Sequence, residues 1–231
     1  MLYESADVAA PERAGGKASE LTLLRKLLPL SLTDVVMAVG DPLLTMTLSR
    51  LANPREVLAA VGIVRAIAVF LESPIIMILH ASTALGANAA SRRALWRLTL
   101  CLGSFLTSVF LFLTWRPVYD LLMMHAFGAS PAVAATGRPV LLLMIVWPGV
   151  IAWRRFHQGI LIRQGRSRLV ALASMSRLLW VCLALSVGII LKASGAVVAG
   201  LTLIGSVLVE AIMVTVLSRR SNRVIDRKSV G

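Results

Sequence analysis

Six runs of about twenty or more mostly apolar residues follow one another along this chain, and they constrain its fold more tightly than any other feature. They fall at residues 27–49, 57–85, 94–117, 136–159, 169–191 and 196–218. A helix rises about 1.5 Å per residue and the hydrocarbon core of a bilayer is about 30 Å thick, so about 20 apolar residues cross it. Each run predicts a spanning helix, and together they predict an all-α integral membrane protein with six transmembrane helices. Strand-like alternation between aromatic girdles, which would point to a β-barrel, is absent from the sequence. Composition agrees. The 231 residues are 58% hydrophobic and 15% charged, with a mean hydropathy of +0.83, whereas a soluble domain is usually about 45–50% apolar.

The net charge of +13 would point to nucleic acid in a soluble chain. Here it follows from topology, because Lys and Arg collect in the segments that stay in the cytoplasm. With the N-terminus inside, residues 13–26, 92–97, 154–168 and 219–228 are the inner segments and hold seventeen basic residues. The outer loops hold five: Arg50, Arg55, Arg116, Arg138 and Lys192. Both termini are therefore expected in the cytoplasm, and nucleic acid is not an expected partner. Residues 1–21 look like a disordered cytoplasmic tail, 22–220 the transmembrane domain, and 221–231 a basic cytoplasmic tail. No apolar stretch precedes a small-residue cleavage site, so no cleaved signal peptide is expected. Cys101 and Cys182 lie inside apolar runs and are expected as small packing residues rather than a disulfide or zinc pair. The segment "WRPVYDLLMMHAFGASPAVAATGRP", punctuated by Pro and Gly, is expected as a short interfacial helix and a turn. "KASG" forces a tight hairpin between the last two spans.

Ionisable side chains at bilayer depth cost about 2.5–3.5 kcal/mol each on insertion scales, so they usually face the bundle interior and mark a pathway. The first span carries Asp34 and Asp41, the second Arg65, Glu72 and His80, the fifth Arg177 and the last Glu210. Residues seven apart stand about 20° from the same angular position, so Asp34 and Asp41 share a face, as do Arg65 and Glu72. Asp41 lies about 21 Å from the inner end of its helix and Glu72 at a similar depth. The two carboxylates are expected to meet at one level, with Arg65 about 10 Å further outward. Two carboxylates in low dielectric cannot both ionise cheaply, which suits a proton- or cation-coupled site. Pro42 adds backbone carbonyls left unpaired by the missing N–H. The alternative for Arg65 and Glu72 is an internal ion pair that only holds helices together. Glu210 either snorkels to the interface or pairs with Arg177, and His80 is expected at the interface or packed.

The order "LPLSLTDVVMAVGDPLL", "VLAAVGIVRAIAVFLESP", "WRRFHQGILIRQGRSR" resembles the multidrug/oligosaccharide-lipid/polysaccharide flippase superfamily. It is similar in particular to the multidrug and toxin extrusion (MATE) transporters. Their lobes open with a proline and an acid-bearing helix, followed by a second helix beginning "LAA-x-G". Arg155, Phe156, Gln158 and Gly165 sit in a frame similar to those transporters' fourth-to-fifth helix loop. Within the superfamily the chain most resembles the progressive ankylosis protein family, exporters linked to pyrophosphate, ATP and citrate. Pro29, Leu30, Leu32, Thr33 and Asp41-Pro42 match that family's first helix, and Gly62, Phe70 and Pro74 its second. The likeness covers about residues 25–170. Two departures stand out: Leu44 occupies the position where MATE transporters usually carry the first-helix acid, and the family has two six-helix lobes where this chain has one.

The resemblance implies one MATE-like lobe of a secondary exporter, an antiporter. It would move a small organic or phosphate-containing anion, or a drug, with H+ or Na+ as coupling ion and no other cofactor. Two lobes related by an axis along the membrane normal share one orientation, so the expected partner is a second copy in a homodimer, or another six-helix lobe. The bilayer expected to hold it is the bacterial inner membrane, since Arg outnumbers Lys twenty to four, as in GC-rich genomes. Candidate substrate- or ion-binding residues are Asp41, Glu72, Arg65, Asp34, Pro42 and Arg177, with no metal site. The other class considered is a substrate-binding membrane subunit of a multi-component transporter, without its own coupling. Enzymatic motifs such as HExxH and GxSxG are missing from the sequence, and no enzyme is expected.

Overall fold

The computed structural model describes Val35, residues 38–85 and residues 89–229. Among the described residues every regular element is helical. Helix α1 covers 38–48, α2 Pro54–Leu85, α3 Ala89–Leu113, α4 Arg116–Asp120, α5 Pro131–Leu143, α6 Trp147–Arg163, α7 Ser167–Ile190 and α8 Gly195–Ser229. A π-helical turn, Leu121–Ala126, continues α4. Four helices, α2, α3, α7 and α8, are long and apolar enough to cross a membrane, and α5 with α6 makes a fifth if that bent pair is one span. These are the dimensions of a membrane-integral bundle. The first expected span lies largely outside the described residues, and α1 is its described part.

Local chemistry sets the element ends. Asn53 takes φ 52°, a left-handed conformation that asparagine tolerates better than most residues, and turns α1 into α2. Pro54 then opens α2 at a position where its missing N–H costs nothing. Pro74 lies within α2, which runs on as one element. The last carbonyls of that helix, Thr83 and Ala84, accept hydrogen bonds from Arg163 Nη1 at 2.9 and 2.8 Å, which satisfies part of the helix end. Between α5 and α6 the chain bends by 44°. Pro148 in the first turn of α6 has no N–H to carry the ladder across that bend. The Gly149 N–H instead takes Thr107 Oγ on α3, 3.1 Å away.

Helix α6 is the centre of the bundle, packed against α2, α3 and α8, while α7 pairs with α8 as the expected hairpin. Gly159 permits the α2–α6 crossing: a Cβ there would stand 2.5 Å from Ser82 Cβ and 2.9 Å from the Leu79 carbonyl. Polarity runs inside out. Phe70 and Ile190 are 77% and 76% exposed on the outer surface, whereas Glu210 and Arg154 are buried in the interior. An aqueous fold would have the reverse, and lipid as the outer solvent explains it.

One expectation needs correction. The segment "WRRFHQGILIRQGRSR" is not a loop: α6 runs through it to Arg163, and only Gln164–Arg166 turn, with Gly165 at φ 69°. Its apolar residues Phe156, Ile160 and Leu161 are buried, which keeps it helical within the bundle. Cys101 and Cys182 face the outer surface, where lipid packs, and form no disulfide. Residues 221–229 of the basic tail continue α8 as further helical turns.

Candidate functional site in the bundle interior

Three carboxylates and four guanidiniums come together between α1, α2, α6, α7 and α8. Asp41 comes from α1. Arg65 and Glu72, seven residues apart, share one face of α2. Arg154 and Arg155 come from α6, Arg177 from α7 and Glu210 from α8. A cavity of about 240 Å³ opens among them, lined by Asp41, Arg65, Glu72, Arg154, Arg155 and Arg177, with Trp147 and Ile151 as its apolar wall.

The pairing is specific. Arg65 Nη2 donates to Asp41 Oδ2 at 2.5 Å, both side chains being partly exposed to the cavity. Arg155 Nη2 stands 3.6 Å from Glu72 Oε1. Glu210, fully buried, accepts from Arg154 Nη1 through one oxygen. Its other oxygen accepts from Gln158 Nε2 at 3.0 Å and Ser174 Oγ at 3.1 Å. Arg177 Nη1 lies 3.6 Å from the oxygen that Arg154 holds. A carboxylate so enclosed is tolerable only because donors surround it. Glu210 therefore anchors α6 and α7 onto α8 from behind the cavity wall.

Counting the named groups, guanidiniums exceed carboxylates by four to three. Arg154 Nε, Arg155 Nε and Trp147 Nε1 are buried donors without a hydrogen-bond partner among the described residues. An excess of positive charge in an enclosed site is costly, and an anion seated in the cavity would offset it. The groups present are hard, cationic N–H donors. Among the described residues no cluster of His, Cys, Asp and Glu could hold a metal ion.

The structure brings together Asp41, Arg65, Glu72 and Arg177, four of the residues singled out in the sequence. The partners differ from expectation. The expected offset of about 10 Å does not keep Arg65 from Asp41, because a guanidinium on a long flexible stem reaches the carboxylate. Each carboxylate has its own guanidinium, and the expected Asp41–Glu72 pair does not carry the site. Pro42 is exposed and does not line the cavity. Asp34 lies outside the described residues. Glu210 pairs with Arg177, one of the two alternatives, and Arg154 joins it. His80 is exposed rather than packed.

Arg154 and Arg155 escaped the sequence reading because an Arg-Arg pair after an apolar run was assigned to a cytoplasmic loop. The signal was available in the spacing Trp147, Ile151, Arg154/Arg155, Gln158, which marks one continuous helical face. No protein family, curated protein or solved structure matches this chain.

Proposed function

We propose that the chain is one lobe of a secondary transporter, of the MATE-like exporter kind it resembles, and that it carries a small anion through the cavity between α2, α6 and α7. The carrying observation is the excess of guanidinium over carboxylate around the cavity. Drug-sized ligands need about 300–1,000 Å³, and about 240 Å³ favours a smaller solute, such as a phosphate or a short carboxylate. Arginine suits both through its planar donor fork.

Coupling follows from the Asp41–Arg65 pair. Asp41 and a bound anion compete for the same guanidinium, so protonation of Asp41 releases Arg65 to the anion. Proton and anion then bind together, which is co-transport at this site, in place of the antiport that the resemblance implies. One lobe offers one half of an alternating-access pathway, and a second copy in the same orientation supplies the other.

The test is flux in proteoliposomes. Radiolabelled phosphate and small mono- to tricarboxylates are offered with and without an inward proton gradient, to wild type and to Asp41→Asn. Wild type should accumulate at least one of these anions in response to the gradient, and the variant should not respond to it. Binding without transport would assign the chain instead to a capture subunit of a larger transporter. Neither binding nor transport of any of these anions would sink the anion reading.

A further inference from the structure

A second cluster of cationic and aromatic side chains lies apart from the central cavity, at the end of the bundle where α3 begins and the apolar part of α8 ends. Arg92 and Arg93 at the start of α3 and Arg219 on α8 are exposed around a cleft of about 330 Å³, whose floor is Trp96, Trp153 and His157. His157 is only 8% exposed, yet neither ring nitrogen has a hydrogen-bond partner among the described residues. Trp153 is held in place, its Nε1 donating to Thr215 Oγ at 2.8 Å and its ring packing edge-on against Trp96 with centroids 4.6 Å apart.

Trp153 is shared with a second groove of about 440 Å³ on the outer face between α6 and α8, walled by Val150, Leu208, Ile212 and Val216. Leu208, Ile212 and Val216 recur every fourth residue and form one exposed apolar stripe. A cationic cleft at the helix ends and an apolar trough directed along the helices thus meet at Trp153. That is the outline of an amphiphile with an anionic head and a hydrocarbon tail.

We infer that this cleft and trough form a binding site for one anionic phospholipid of the surrounding bilayer. Its phosphate lies among Arg92, Arg93 and Arg219. One acyl chain lies along Leu208, Ile212 and Val216. Arginine clusters between helices at the cytoplasmic face are the chemistry that recognises such headgroups, and tryptophan sits at the same level. Charge complementarity selects lipid over a second protein copy, because two copies of this face would oppose their own arginines. The site is independent of anion transport in the central cavity.

The test uses the full chain in vesicles of phosphatidylcholine containing a minor fraction of brominated phosphatidylglycerol or, separately, brominated phosphatidylcholine, with quenching of tryptophan fluorescence as readout. Brominated phosphatidylglycerol should quench with at least about fivefold higher apparent affinity, as expected for several arginines near an anionic headgroup. Trp153→Phe should remove most of that selective component. The triple variant Arg92→Gln/Arg93→Gln/Arg219→Gln, which alters only exposed side chains, should abolish the preference while keeping its helical circular dichroism. Equal quenching by both lipids overturns the inference, as does a preference unchanged in the triple variant. Displacement of the selective quenching by millimolar inorganic phosphate would also overturn it, assigning the cleft to a free anion. Quenching lost to protein–protein association, read by crosslinking across Val216, would assign the trough to a second copy.

Discussion

Arg154 and Glu210, fifty-six residues apart, close an ion pair in the most enclosed part of the bundle, with side chains 2% and 0% exposed. The pair fixes α6 to α8, and through Ser174 and Arg177 it reaches α7 as well. Breaking a buried pair from one side leaves the other charge without compensation, which costs more than the pair itself contributes. Glu210→Gln is therefore expected to destabilise the protein by about 3–5 kcal/mol, read as a lowered unfolding midpoint in detergent. A midpoint shift equivalent to less than about 1 kcal/mol would show that Glu210 is not the anchor.

Asp41 and Arg65 should behave in the opposite way. Their side chains are 43% and 35% exposed, and pairs so open to water contribute about 0–1 kcal/mol. Asp41→Asn should leave the unfolding midpoint nearly unchanged while altering transport. Unfolding measured beside flux on the same preparation checks this, and a large loss of stability would make the pair structural.

The coupling scheme has a definite sign. An inward proton gradient should raise anion uptake by wild type, with the external anion concentration fixed. In Asp41→Asn, which removes the competing carboxylate, the rate should be high and independent of the gradient. A wild-type rate that falls when the gradient is imposed would reverse the coupling scheme.

Arg155 is set 3.6 Å from Glu72 through one nitrogen and lines the cavity, so the rest of its guanidinium has donor capacity left for a ligand. A hydrogen bond to a charged group is worth about 1.5–3 kcal/mol. Arg155→Gln should therefore raise the KM for the transported anion by roughly 10- to 100-fold. An unchanged KM would remove Arg155 from the binding set.

The α2–α6 crossing supplies a control on packing. Gly159→Ala places a methyl group against Ser82 and the Leu79 carbonyl, and overpacking of this kind costs about 1–3 kcal/mol. Gly62→Ala, where a Cβ would meet nothing within 4 Å, should be neutral or slightly stabilising. Thermal unfolding of the two variants side by side distinguishes them, and equal effects would refute the close crossing.

Much of this architecture was legible in the residues. Apolar runs announced the spanning helices α2, α3, α7 and α8, and charges stranded within them announced Asp41, Arg65, Glu72 and Arg177. What hydropathy could not show was the partner of each charge, because pairing depends on how helices rotate against one another. Arg155 takes Glu72 only because Gly159, one turn further along α6, lets that helix approach α2. The Arg154–Arg155 dipeptide misled for a related reason. Positive charge next to an apolar run marks a cytoplasmic flank in most spans, and only tertiary burial reveals that this one is lodged inside. Without those two residues the basic count of the inner segments falls from seventeen to fifteen against five, so the expectation of cytoplasmic termini rests on the other fifteen.

The bend between α5 and α6 gives the guanidiniums a lever. Arg155 lies eleven residues beyond Met144, where the two helices part, or about 16 Å along the axis. Pivoting α6 by about 10° at that joint sweeps Arg155 sideways by about 3 Å, comparable with the 3.6 Å that separates it from Glu72. Arg154, on the same turn, is locked to Glu210, so such a swing carries α8 along with α6, and a guanidinium leaves its resting carboxylate only when the two helices shift together against α2.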